Sequence, residues 1–137
     1  MKVVVGPCPW HSEITDFFKI PPGHSVIFSW GDIIYNPGNG KITRELHQHE
    51  EAHGARQGST DADIMMWWRR YMDDALFRIE EETIAHVAEY RAYCKRHGSG
   101  RPEFLNMVAT RLSSSMYGNM LGFMQARDLI IKRAAHL

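Results

Sequence analysis

The sequence predicts an α+β fold: a short N-terminal β-region followed by a mainly helical segment, in a single domain spanning residues 1–137. Three observations predict it. The first 40 residues are short apolar runs cut by Gly and Pro. From residue 43 onward, apolar side chains recur at spacings of three and four, the period of one helix face. Every strand-type segment precedes the helix-type segments, which is α+β order rather than α/β alternation.

Met1 to Val5 reads as a strand ended by Gly6 and Pro7, and Asp16 to Ile20 as a short apolar run ended by Pro21-Pro22-Gly23. Ser25 to Tyr35 is rich in β-branched and aromatic residues, and Gly31-Asp32 splits it into a hairpin or a bulge. Asn36 to Gly40 is a dense turn. Thr43 is an N-cap for a helix over Arg44–Arg56, and Ser59 to Asp63 is a polar loop. One long helix is expected over Ile64–Arg96, with Trp68, Met72, Ala75, Leu76, Ile79, Thr83, Val87 and Tyr90 as its apolar stripe. His97-Gly98-Ser99-Gly100 ends it. Pro102 opens a further helix to about Met116, Tyr117-Gly118-Asn119 breaks the chain, and a last helix covers Met120–Ala135.

Composition narrows the function classes. Sixteen basic residues balance sixteen acidic ones, which argues against a dedicated nucleic-acid or anionic-membrane binder. No apolar run reaches the roughly 18 residues that span a bilayer, and MKVVVGPCPW is too short for a signal-peptide core. Two cysteines, Cys8 and Cys94, make no disulfide framework, so the expected setting is reducing and cytoplasmic.

The segment that carries chemistry is Glu45 to Gln57, ELHQHEEAHGARQ. It contains His49-Glu50-Glu51-Ala52-His53, an H-E-x-x-H match. Residues four apart share a helix face, so His49 and His53 can both aim a ring nitrogen at one zinc ion. Glu50 lies on the flank of that face, placed to take a proton from a water on the metal. Scrambling this composition yields roughly 0.03 chance matches, and the match falls inside a predicted helix. The competing reading is a His-rich solvated face.

Catalytic zinc usually has three protein ligands, so one more is required. The second helix offers Glu80, Glu81, Glu82, His86 and Glu89. At about 100° per residue, Glu81 points nearly opposite the apolar stripe and Glu80 lies on one flank. Glu82, His86 and Glu89 share the other flank, so Glu82 or Glu89 can face the first helix.

This order, a strand, an H-E-x-x-H helix and a Glu-bearing helix, resembles the minimal gluzincin-type zinc metallopeptidases. In those families the third ligand is a Glu in an E-x-E-A-x-A segment. Glu80-Glu81-Glu82-Thr83-Ile84-Ala85 is similar, with Thr83 in place of Ala, and the resemblance implies Glu82 as the third ligand. The chain also resembles small phage and prophage proteins with an H-E-x-x-H motif. The shared features are Ile34 to Pro37, Trp67-Trp68-Arg69-Arg70-Tyr71, Phe77-Arg78, Leu112-Ser113 and Tyr117-Gly118-Asn119. They cover residues from about 30 onward and imply a metallopeptidase-like core and a metal site, without a substrate. His86 departs from the Tyr expected there. The resemblance prompts Tyr117 as a hydroxyl donor toward the metal.

Other residues read more simply. His47 projects to a different face from His49 and reads as a surface or supporting residue. His86, one turn after Glu82, either holds Glu82, stabilises an oxyanion or fills the core. Cys8-Pro9-Trp10-His11 has C-x-x-H spacing but lacks two further ligands, so Cys8 reads as a loop cysteine. Trp67, Trp68, Tyr71 and Met72 read as core or interface. Arg69, Arg70 and Arg78 are expected to pair with Asp73, Asp74 and Glu81 on a solvated face. Ser113 to Ser115 lack a nucleophile elbow. The Met residues read as core filling or an adaptable interface.

The expected activity is hydrolysis of a peptide or amide bond, with His49, His53 and Glu82 on Zn²⁺ (Glu89 as the other ligand choice) and Glu50 as general base. The strand at Ile33–Tyr35 is expected to hold an extended substrate along its edge. The alternative is a non-catalytic interaction protein, metal-bound or metal-free, that docks on a host or virion protein or on a second copy of itself; a structural metal there would be closed off by Glu89 or His86.

Overall fold

The computed structural model of the chain describes residues 1–98 and 101–135. It is mixed α+β and mainly helical. Strand β1 is Lys2–Val4, helix α1 is His11–Phe17, and strands β2 and β3 are Phe28–Trp30 and Ile33–Tyr35. Helices α2 to α6 follow at Arg44–Gln57, Asp61–Asp73, Ala75–His97, Pro102–Leu112 and Phe123–Ala135, with a 3₁₀ turn at Ser115–Tyr117. No helix among the described residues is long and apolar enough to cross a membrane.

The β-region forms one sheet in the order β1-β3-β2. Gly31-Asp32 makes the tight turn that pairs β2 with β3 antiparallel, Trp30 opposite Ile33, and β1 runs parallel to β3. Gly31 takes a left-handed φ of 61°, which a side chain at that turn would resist. The segment before β2 departs from expectation. α1 forms over His11–Phe17, and Thr15 sends its hydroxyl back to the His11 carbonyl at 2.8 Å. Ile14 is its one fully buried anchor.

Thr43 caps α2 as expected, its hydroxyl accepting from the Leu46 amide. The long helix expected over Ile64–Arg96 is instead two. At Asp74 the backbone turns extended (φ −117°, ψ 102°), and its side chain accepts from the Phe77 amide to cap α4. Asp74 therefore acts as a helix start, which side-chain periodicity alone does not register. The bend resets the helical phase, so the expected stripe splits and Leu76 is 71% exposed. Arg78 closes the other side of the bend by donating to the Tyr71 and Met72 carbonyls, not to an acid. α5 stops at Leu112 rather than Met116, and α6 starts at Phe123. Gly98 ends α4 with a left-handed φ of 78°, while Ser99 and Gly100 lie outside the described residues.

Two apolar clusters hold the fold. One joins Ile14, Phe28, Trp30, Ile64, Trp67 and Trp68, tying α1 and the hairpin to α3. The other joins Val87, Leu105, Val108, Leu112, Ala126 and Ile130, tying α4 to α5 and α6. The α2–α4 interface is the most extensive helix pairing, and it is polar. His49, Glu50 and His53 from α2 meet Glu81, Glu82, His86 and Glu89 from α4, all buried. Most methionines do not fill the core: Met66, Met107, Met116, Met120 and Met124 are exposed.

Candidate metal centre

The centre grows from two helices that cross with their polar faces inward. α2 docks tightly on the hairpin because Gly54 follows His53: a Cβ there would collide with the Gly31 carbonyl oxygen. Gln57, one turn on, accepts from the Gly31 amide at 2.7 Å and donates to the Ser29 carbonyl at 3.1 Å. These contacts set the rotation of α2 and turn His49, Glu50 and His53 toward α4.

His49 Nε2 lies 3.4 Å from Glu82 Oε1, and His53 Nε2 lies 2.8 Å from Glu82 Oε2. The two imidazoles and the Glu82 carboxylate form one group able to hold a metal ion. Tetrahedral zinc with bonds near 2.0 Å needs ligand atoms about 3.3 Å apart, so one separation matches and the other requires a small opening. Glu82 Oε1 and His53 Nδ1 are buried without a hydrogen-bond partner, so the polar network is not closed by protein alone. Two imidazoles and one carboxylate, with Glu82 Oε1 left unpartnered, are a donor set that a divalent metal ion could occupy.

Glu89 occupies a different place from the one expected of a third ligand. Its carboxylate meets His49 Nδ1 at 2.9 Å, on the ring edge away from His53 and Glu82. Arg111 of α5 in turn grips Glu89. A carboxylate on the far nitrogen fixes the imidazole's orientation and leaves Nε2 for a metal. His49, His86 and Glu89 are also close enough to count as a ligand group. The Arg111 cation on Glu89 opposes a second cation there, and neither Glu89 nor His86 lines the cavity at the first group.

His86 is fully buried, and its Nδ1 lies 2.6 Å from the Glu82 backbone carbonyl. A carbonyl only accepts, so Nδ1 carries the proton and Nε2 holds a lone pair without a partner. Burial, aided by the His49 charge, pushes this imidazole down to about 3. A neutral His86 cannot donate from Nε2, so the oxyanion role considered for it does not fit. It supports the backbone of Glu82 and packs edge-on against His49 and Tyr117.

The other charges follow from partners. Burial disfavours charge on His49, yet the neighbouring Glu82 and Glu89 carboxylates outweigh it and raise the ring to about 10 without metal. Burial opposes ionised Glu82 too, and the two histidines overcome it, holding the carboxyl well below its ordinary range. Burial pushes Glu50 up, against the pull of His49, His53 and a hydrogen bond from Ser29.

Two contributors escape sequence reading. Tyr71, expected as core, donates its hydroxyl to Glu82 Oε2 at 2.6 Å. Burial and the Glu82 charge hold the Tyr71 and Tyr117 hydroxyls well above their usual range, so both stay protonated. Glu81, expected to point into solvent, is buried under Arg56 and Trp67 Nε1, because α3 folds back at Asp74 and covers that face. His47 sits at the surface 3.5 Å from Glu51. Cys8 is buried in the apolar cluster, with its thiol raised to about 11 by burial.

A cavity of about 90 Å³ opens beside this group, walled by His49, Glu50, His53, Glu82, Trp67 and Tyr71. β3 is the central strand and has no free edge, contrary to the role expected of it. The strand beside the cavity is β2, whose Phe28 lines it. Compared with protein-family models, curated proteins and solved structures, the chain has no match.

Proposed function

We propose that this chain is a zinc-dependent metallopeptidase of the minimal gluzincin type, hydrolysing a peptide or amide bond. One observation carries the reading. The two H-E-x-x-H imidazoles and the Glu82 carboxylate converge on the wall of a cavity that Glu50 also lines. A structural zinc site is closed by four protein ligands, and a catalytic one keeps an open position. When bound, Zn²⁺ would bring a water's pKa toward about 7 and polarise a carbonyl.

The chain's own residues do the rest. Glu50, its proton affinity raised by burial, accepts a proton from the attacking water and passes it to the leaving nitrogen. The new C–O bond forms first and puts negative charge on the carbonyl oxygen; the C–N bond breaks afterwards, as the nitrogen takes the proton from Glu50. Tyr71 gives its one proton to Glu82 Oε2 and steadies that carboxylate, while Tyr117, protonated and lining the cavity, supplies the hydroxyl donor for the negative charge that develops on the carbonyl oxygen. Glu89, backed by Arg111, keeps His49 aimed.

A substrate held as an added strand belongs on β2 rather than β3. Gln57 already engages the Ser29 carbonyl and the Gly31 amide on the outer side of β2. Ile27, the residue before β2, lines the cavity.

The test is metal content by elemental mass spectrometry, followed by a peptide-hydrolysis screen with Glu50→Gln as control. About one zinc per chain and hydrolysis lost in the control supports the reading. A folded protein that takes up no zinc sinks it. A second reading, a metal-bound docking protein without hydrolysis, draws on the exposed Met66, Leu76 and Met124 side chains.

A further inference from the structure

We infer that residues 19–27 form a strap across the approach to the metal group, and that a peptide reaches the metal only after this strap lifts. This inference rests on the metallopeptidase reading and adds the regulation of its site. The cavity holds about 90 Å³. Small-molecule sites begin at roughly 300 Å³, so a peptide does not fit beside the metal with every wall in place. One wall has to move.

The walls are not equally fixed. His49, Glu50 and His53 stand on α2, which Gln57 pins to β2 and its turn. Trp68 donates to the Ser29 carbonyl and Tyr71 to Glu82. Tyr117 packs edge-on against His86. The remaining wall is Ile20, Val26 and Ile27, the two legs of the loop between α1 and β2. Its ends are anchored: Phe18 lies edge-on to Tyr71 at 5.8 Å, and Phe28 pairs with Tyr35. Between them the chain is loosely held. Pro21 and Pro22 have no N–H to give. Among the described residues, no hydrogen bond ties residues 21–27 to another element; the His24 amide bonds only the Pro21 carbonyl within the loop. Residues 21–25 are exposed. A segment with so few hydrogen bonds and so little burial opens before the elements around it do.

One contact clasps the strap. Ser25 lies so close to Gly38, in the turn after β3, that a Cβ on Gly38 would stand 2.0 Å from Ser25 Oγ and 2.5 Å from Ser25 Cβ. Gly38 is not one of the left-handed glycines, so its backbone accepts Ala and the substitution acts through this contact. An added methyl displaces Ser25 and weakens the closed position.

The experiment uses the full-length protein loaded with Co²⁺, whose visible spectrum reports a ligand arriving on the metal without any need for hydrolysis. The probes are acetohydroxamate, small enough for the closed cavity, and a hydroxamate-capped dipeptide, which is not. Stopped-flow absorbance gives the on-rates. Gly38→Ala should speed the dipeptide by at least ~10-fold, because a larger share of molecules is open, and leave acetohydroxamate unchanged. Ser25→Val, which crowds the same contact from the exposed strap, should act alike. Gly40→Ala, in the same turn with nothing within 4 Å of a Cβ, should match wild type with both probes. Ser25→Gly combined with Gly38→Ala removes the colliding atoms and should bring the dipeptide rate back toward wild type. Unchanged dipeptide rates in Gly38→Ala and Ser25→Val, with acetohydroxamate still binding, would overturn the strap and leave the metallopeptidase reading standing. A folded protein that takes up no Co²⁺, or takes it up and binds neither probe, would overturn both.

Discussion

His49 Nδ1 lies 2.9 Å from Glu89 Oε1, across 40 residues of sequence. That single contact separates two carboxylates on one flank of α4. Glu82 meets the ring nitrogens that face the cavity, and Glu89 meets the nitrogen that faces away. Metal affinity should divide accordingly. Glu82→Gln, or His53→Ala, is expected to abolish zinc uptake. Glu89→Gln should weaken it by ~10–100-fold, the usual cost of losing a carboxylate behind a ligating histidine. Titration against a competing chelator measures both. Equal losses for Glu82→Gln and Glu89→Gln would contradict this division.

Glu50 lines the cavity and is absent from the ligand group. Glu50→Gln should keep one zinc and the wild-type melting temperature, while hydrolysis falls by ~10²–10⁴-fold. A variant that loses its zinc would show Glu50 acting as a ligand instead.

The metal-free protein should lose stability toward alkaline pH. His49 is raised to about 10 from 6.5, so its contribution is full below about pH 6.5 and fades as pH climbs to 10. Glu82 and Glu89 are lowered, so theirs is present above their ordinary 4.5 and fades as pH falls below it. His86, lowered to about 3, adds to that acid loss because its burial resists protonation below 6.5. Melting temperatures with chelator across pH should fall on both limbs. Zinc should bind more tightly as pH rises from 6.5, because it displaces the His49 proton. A flat alkaline limb without metal would contradict the His49 assignment.

Gly54→Ala should destabilise the fold by ~1–3 kcal/mol and loosen zinc binding together, since the added methyl pushes α2 off the Gly31 carbonyl. Gly40→Ala, where a Cβ meets nothing within 4 Å, is the control and should stay within about 0.5 kcal/mol. Denaturant titration reads both.

Asp74→Ala should cost about 1 kcal/mol through loss of the α4 cap. Asp74→Asn, which can still accept from the Phe77 amide, should recover most of it.

Much of the architecture follows from local chemistry, and those parts were legible. The Gly31-Asp32 hairpin, the Thr43 cap and the face shared by His49 and His53 depend on residues within a few positions of each other. The H-E-x-x-H spacing by itself places two imidazoles side by side, and helical phase alone brings Glu82 and Glu89 to one flank. Tertiary structure decided what those groups face. The helix break at Asp74 folds α3 back over α4, which buries Glu81 and carries the Tyr71 hydroxyl onto Glu82. The close approach allowed by Gly54 sets the rotation of α2, and that rotation assigns Glu82 to the ring nitrogens on the cavity side and Glu89 to the nitrogen behind. Periodicity records which side chains share a face. Which partner that face meets depends on the packing of segments far apart in sequence, and here it is set by one missing Cβ and one capping carboxylate.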